Sequence, residues 1–343
     1  MSRVVLVTGV SRDIAARVAR SLASEDLAVV GIDAIPPKHD LGGARYVRSD
    51  LRSPLLSRTL AEIAPDVVVH AALSDELSGT AGKEVNVLGA MQLLAACQTL
   101  PGLTQLVAIS SSAIYGAAAT EPSRLDEDSG PTGRRSGLGR DAAELEDYVS
   151  AFAAQRPDVG TTVLRFAELL GAGVESRFAR YISLPVVPKP AGFDARLQFL
   201  HPVDAVDACR EVVARSITGV FNVAAADVLP LTQVLRIMGR PSVGVPPPIT
   251  PALIEFGRRQ GVVAPNVRFG RGELREVTYG RAMDVSRFAA HGFQAHYSSR
   301  RAVQEFAALG TPGVFSPGRI EEVTNVAGRI GRAIRRTVQG DRG

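Results

Sequence analysis

Short apolar runs alternate with amphipathic stretches from the N-terminus onward. Val4-Val5-Leu6-Val7 is a short apolar strand closed by Thr8 and a tight turn at Gly9, and a helix begins near Asp13. Leu27–Asp33 and Ala44–Ser49 read as further strands, followed by a helix from about Pro54 to Ala64 and a strand Asp66–His70. Val85, Leu88, Leu93, Leu94 and Ala96 recur at helical spacing between Ala81 and Cys97, and Leu103–Ile109 is a fifth strand running into Ser110-Ser111-Ser112. After a Gly-, Pro- and acid-rich loop from Ala117 to Arg135, a helix from about Ser136 to Gln155 precedes a strand Thr161–Phe166. Continuously apolar strands alternating with helices predict an α/β fold, a doubly wound parallel sheet with right-handed crossovers.

Beyond Phe166 the pattern loosens. Pro185, Pro188 and Pro190 mark a loop, Arg196–His201 is an extended run, and helix Val203–Ser216 and strand Gly219–Val223 return to α/β order. From Leu231 onward, helices and proline-rich connectors such as Pro246-Pro247-Pro248 predict a smaller α-rich region folded over the sheet edge. After Pro317, Ile320, Val323, Ala327, Ile330, Ile334 and Val338 share one helical face, opposite Arg329, Arg332, Arg335 and Arg336. Such a basic tail docks on its own domain, on a sister subunit or partner, or on a membrane surface.

Composition narrows the classes. With 45% apolar and 22% charged residues, and a net charge of only +4 over 343 residues, the chain is globular and lacks the concentrated charge of a nucleic-acid binder. Two distant cysteines, Cys97 and Cys209, read as reduced core thiols, and with five scattered histidines they give no metal-ligand spacing. No apolar run reaches the ~18 residues of a membrane span, and the N-terminal run is too short for a signal peptide, so a cytoplasmic protein is expected.

Strand, glycine turn and helix at residues 4–20 open a dinucleotide-binding unit, in which helix N–H groups face a pyrophosphate. Thr8, Gly9, Ser11, Arg12, Asp13 and Ile14 are the candidate phosphate-binding residues. The turn departs from G-x-x-G-x-x-G: Arg12 holds the second glycine position and Ala15 the third. An arginine there obstructs the backbone's approach or supplies a charge-assisted contact. Asp33 falls where an acid accepts both ribose hydroxyls, which favours NAD over NADP; its plainer role is a turn aspartate. His70 alone reads as a structural strand-end histidine. Ala71 and Ala72, small residues past a strand, let backbone approach a ligand.

Thr8-Gly9, Asp33, Asp50-Leu51, His70-Ala71-Ala72, Asn86 with Gly89, Ser110-Ser111 before Tyr115-Gly116, Leu164-Arg165 and Phe199-Leu200-His201-Pro202-Val203-Asp204 follow one another in order. Together they resemble the extended short-chain dehydrogenase/reductases, the NAD-dependent epimerase/dehydratase family, over roughly residues 3 to 308. The resemblance implies that Asp50 and Leu51 hold the adenine, that Ala71 and Ala72 flank the nicotinamide half, and that Ser111 polarises the substrate oxygen. Asn86 supports the site or simply packs. The family's acid/base is a Tyr-x-x-x-Lys pair, which this chain lacks. Anchored on Glu144, its positions hold Ser136 and Arg140. Arg140 keeps the charge for a cofactor ribose, Ser136 cannot replace the phenol, and Tyr115 is the tyrosine the pattern leaves near the pocket.

The expected organisation is a dinucleotide-binding core over 1–170 with return segments about 196–223, a substrate-binding region over 171–308, and the basic tail over 309–343. The expected function is an NAD(P)-dependent epimerase, dehydratase or reductase acting on a nucleotide-sugar or similar polar small molecule, with a non-standard acid/base built from Ser111, Arg140 and Tyr115, possible as a homodimer. Two readings stand against it: a catalytically inactive NAD(P)-binding sensor or scaffold, and a pocket that has lost the dinucleotide.

Overall fold

The computed structural model describes residues 2–25, 27–74, 79–120, 122, 124–131, 135, 137–184, 186–259 and 271–309. Ser136 and the basic tail beyond 309 lie outside the described residues. The first half builds β1 (Val4–Thr8), α1 (Asp13–Ala23), β2 (Ala28–Asp33), β3 (Arg45–Arg48), α2 (Leu56–Ile63), β4 (Val67–His70), α3 (Gly79–Lys83), α4 (Gly89–Cys97), β5 (Gln105–Ser111), α5 (Gly137–Gln155) and β6 (Gly160–Phe166). There follow β7 (Glu168–Leu169), α6 (Arg177–Ile182), β8 (Val187–Pro190), β9 (Arg196–Leu197), β10 (Phe199–Leu200), α7 (Pro202–Arg215) and β11 (Gly219–Val223). The last elements are β12 (Leu229–Pro230), α8 (Leu231–Ile237), β13 (Ser242–Val245), α9 (Thr250–Arg259), α10 (Arg271–Tyr279), α11 (Ser286–Ala290) and α12 (Ser299–Ala308).

Seven strands form one parallel sheet in the order β11-β6-β5-β4-β1-β2-β3. The alternation within each strand feeds two layers. Val5, Val7, Val67, Val69 and Val107 pack on one face with α1 and α7, while Leu6, Val68, Leu106 and Ala108 pack on the other with α2, α4 and α5. The chain runs outward from β1 to β3 and, after a crossover, from β4 to β11, so the order reverses between β1 and β4. A crevice opens at the carboxyl end of such a pair, where Thr8 lies opposite His70.

A third apolar cluster, with Phe178, Tyr181, Phe199, Leu231, Val234 and Val303, unites α6, α8 and α12 with the short strand pairs. One of those pairs corrects the reading of Pro185–Pro190 as loop. Val187–Pro190 pairs in parallel with Ser242–Val245. Prolines are tolerated in β8 because it has a partner on one side only, so a missing N–H can face away from the ladder. Asp204, fully buried in the first turn of α7, accepts the N–H groups of His296 (2.8 Å) and Tyr297 (3.0 Å) and so ties the last helices to the sheet.

Between α3 and α4 the helix widens into a π-turn over Glu84–Leu88, around the buried Asn86. Such insertions re-aim a side chain at the cost of regular helix bonding. Cys97 and Cys209 are free and buried, and burial pushes each thiol up to about 12, which leaves them unreactive. No helix among the described residues is long and apolar enough to cross a membrane.

Candidate active site

The turn after β1 is shaped by close packing. Gly9 has φ +80°, and a Cβ on it would stand 2.8 Å from the Ala72 Cα and 3.0 Å from the Ala71 carbonyl oxygen. Only glycine both adopts that conformation and admits the Ala71-Ala72 backbone. Thr8 Oγ1 accepts the Ala71 N–H (3.3 Å) and lies 2.8 Å from His70 Nδ1. The hydroxyl and Nδ1 share one proton, in a direction set by the tautomer of the ring. Nε2 is buried and has no hydrogen-bond partner. Burial, and secondarily the charge of Arg12, pushes His70 down to about 4.

Arg12 occupies the N-cap of α1 in an extended conformation, and its Nη1 is buried without a partner. A guanidinium N–H left dry in this way costs on the order of 1–3 kcal/mol, so the site is poised for an acceptor. Ser11 closes the turn onto β2: its N–H (3.0 Å) and hydroxyl (2.8 Å) both donate to Asp33 Oδ2, and the Ile35 N–H donates to Oδ1 (3.1 Å). A carboxylate offers about four acceptor positions, which leaves capacity for a ribose hydroxyl. Asp13 holds Arg17 at 2.9 Å. Asp50 is committed to Arg52, whose hydrogen bonds hold its carboxyl below the usual carboxylate range, and the buried Leu51 packs beneath Gly89.

Arg12, Asp13, Ile14 and Ala71 line a cleft of about 180 Å³ together with Ser74, Ser110, Ser111, Leu138 and the Phe166–Leu169 segment. Ser111 Oγ accepts the Ala113 N–H (3.2 Å), which leaves its hydroxyl proton available to the cleft. Asn86 fixes the rim: its side chain accepts from the Ser74 N–H (3.1 Å) and donates to the Ser74 carbonyl and to Asp141 (both 2.9 Å). Helix α5 begins hard against the end of β5. A Cβ on Gly139 would fall 2.3 Å from the Ala113 carbonyl oxygen, and this approach inserts Leu138 into the cleft.

Two expected acid/base residues are displaced. Arg140 does not line the cleft; two residues beyond Leu138 it lies on nearly the opposite side of α5 and is exposed. Tyr115 is 1% exposed, and its hydroxyl donates to Asn222 Oδ1 (2.7 Å) and accepts from Arg165 Nη1 (2.8 Å). Arg165 in turn grips Glu146, and the tyrosine faces a separate cavity of about 510 Å³ behind β6. Burial raises the phenol above its ordinary pKa. Tyr115 is thus a buried strut. Tyr115→Phe is expected to cost about 1–3 kcal/mol in chemical denaturation while leaving ligand binding in the cleft unchanged.

A smaller cavity of about 50 Å³ continues from the cleft, sharing Ser111, Leu138 and Glu168. Its charged residues are Glu168, Arg177, Glu273, Glu276 and Arg281. None of them was a sequence candidate. They come from β7, α6, α10 and the segment after α10, and no local spacing links positions a hundred residues apart.

A family model, NAD dependent epimerase/dehydratase family, matches residues 5–224. An uncharacterized protein of Mycobacterium tuberculosis is 35% identical over 333 residues, covering 93% of this chain and 87% of its own. UDP-glucose 4-epimerase of Thermus thermophilus, solved with NAD, superposes with a TM-score of 0.67 at 21% identity, covering 89% of this chain and 98% of the other. The Bordetella bronchiseptica enzyme WbmG, solved with NAD, gives a TM-score of 0.66 at 18% identity, with 90% and 94% covered. The structures speak for the fold, and the matched sequence, with its glycine turn and Asp33 at the ends of β1 and β2, decides the lineage: the chain belongs to the NAD-dependent epimerase/dehydratase family.

Proposed function

We propose that the cleft binds NAD across the carboxyl edge of the sheet and that the protein carries out redox chemistry on a hydroxyl-bearing polar small molecule, of the sugar or nucleotide-sugar kind. The observation that carries the proposal is the unpartnered, buried Nη1 of Arg12 beside the Gly9 turn. An anion such as a pyrophosphate satisfies that donor, the N-terminus of α1 adds free N–H groups, and Asp33 has acceptor capacity left for a ribose. When bound, NAD supplies hydride exchange with the substrate carbon.

The chain's own residues handle the oxygen on that carbon. Ser111 donates its hydroxyl proton to the substrate oxygen and fixes its position. Glu168, which lines the cleft together with Ser111, is the carboxylate placed to take up the proton of a substrate hydroxyl. Leu138 and Ile109 form the apolar wall that keeps water from the reacting carbon. Ser111→Ala is expected to slow NAD reduction, followed by absorbance over a panel of sugars and sugar nucleotides, by at least about tenfold. NADH affinity in a fluorescence titration stays the same. Loss of NADH binding in Ser111→Ala, or an unchanged rate, removes Ser111 from this role.

A second reading is favoured by one observation: no tyrosine lines the cleft among the described residues, and Arg140 stands outside it. On that reading the protein binds NAD and signals through its surface without turnover. NADH binding with no reduction by any member of the panel selects it.

A further inference from the structure

We propose that residues 172–175 form a strap over the phosphate side of the cleft and that Arg17 latches it, so that the dinucleotide exchanges when the latch opens. This rests on the reading of the cleft as an NAD site. The strap spans the gap between β7 and α6, and both of its ends are pinned. The Leu170 N–H donates to the Leu200 carbonyl (3.1 Å), and a Cβ on Gly171 would stand 2.5 Å from Pro202 Cδ. At the other end Ser176 caps α6, its Oγ accepting the Ala179 N–H at 3.0 Å. Between these anchors Ala172, Gly173 and Glu175 are exposed. Val174, Glu175 and Ser176 line the same cleft as residues 12–15 at the start of α1.

Arg17 joins the strap to α1. Its Nη2 donates to the Ala172 carbonyl at 2.6 Å, and Asp13, one turn earlier on the helix, accepts from its Nε at 2.9 Å. The carboxylate fixes the direction of the guanidinium, which leaves Nη2 aimed at the strap. Gly173 completes the fit. It has φ +80°, and a Cβ there would lie 2.7 Å from Arg17 Nη2 and 3.3 Å from Asp13 Oδ1. Glycine both takes this conformation and makes room for the guanidinium. The latch ends on a neutral carbonyl and the Arg17 side chain is 26% exposed, so water can replace the bond at modest cost. With the strap in place the cleft holds about 180 Å³. That is below the roughly 300–1,000 Å³ of a pocket that encloses a small ligand, so a dinucleotide needs the strap displaced.

The test follows NADH fluorescence by stopped flow, with the full native chain and with Arg17→Ala. Without the latch, NADH displaced by excess NAD is expected to leave at least about tenfold faster, since a charge-assisted hydrogen bond no longer holds the strap. Association is expected to quicken as well, so affinity falls by less than release accelerates. Equal release rates in the two proteins overturn the proposal, as does a variant that loses affinity through slower association. If Arg17→Ala does not fold, Gly173→Ala takes its place, because the added Cβ pushes Arg17 off the carbonyl. Hydrogen exchange over residues 172–175 in the ligand-free chain reads the latch apart from the cofactor. Exchange there is expected to be at least about tenfold faster in the variant, and unchanged exchange overturns the latch. Failure of NADH to bind either protein removes the NAD site, and the exchange comparison then still decides whether Arg17 holds the strap.

Discussion

Replacing Arg12 by glycine is expected to weaken NADH binding by about 10- to 100-fold, although glycine is the residue the turn pattern calls for. Two effects oppose each other. Glycine lets backbone approach a phosphate, and arginine supplies a charge-assisted donor. The charge is expected to win, because Arg12 already sits in ordinary extended backbone, φ −97° and ψ 149°, so glycine relieves no conformational strain. The guanidinium meanwhile holds a buried donor with no partner inside the protein. The variant should also be more stable without ligand, by about 1 kcal/mol, since an unsatisfied buried N–H is removed. Fluorescence titration at two salt concentrations checks both the loss and its electrostatic origin. Arg12→Lys keeps the charge without the fork and should fall between the two. Tighter NADH binding by Arg12→Gly would mean that the side chain blocks the phosphate position.

Acidification is expected to destabilise the fold through His70. Its folded-state value of about 4 lies below the ordinary 6.5 because burial, and then Arg12, disfavour the imidazolium. Between those two values the unfolded chain binds more protons than the folded one, so stability rises with pH across the window and falls as pH drops. The slope is about 1.4 kcal/mol per pH unit, reaching about 3 kcal/mol in all once pH is below 4. Carboxylates titrate over part of the same range, so the informative quantity is the native chain minus His70→Gln, measured by urea unfolding at pH 7, about 5.5 and about 4.5. Equal slopes in the two proteins would mean that His70 is already charged or already solvated in the native state. Bound NADH should flatten the native slope, because an anion beside Arg12 offsets the charge that helps keep His70 neutral.

The periodicities decided the sheet. Val5 and Val7 against Leu6, and Val67 and Val69 against Val68, carry both faces of a doubly wound sheet in their own alternation, and the helices between them follow at helical spacing. Gly9, Ala71 and Ala72 were legible as a place of close backbone approach because small residues at strand ends have few other uses. Even Arg12 was legible as an oddity at its position, since the turn's chemistry is local.

What the sequence could not carry was direction and distance. Whether Tyr115 faces the cleft depends on Arg165 and Asn222, strand residues 50 and 107 positions away, which capture its hydroxyl behind the sheet. Whether Arg140 meets a cofactor depends on how α5 lands, and Gly139 lets it land on Ala113 so that Leu138 enters the cleft and Arg140 does not. The charged cavity beside Ser111 gathers residues from positions 168 to 281, joined only when the last helices fold over the sheet edge. Local patterning determined the strands, the turn and the family. Packing between distant segments decided which side chains line the cleft, because a side chain's direction is fixed by whatever fills the space around it.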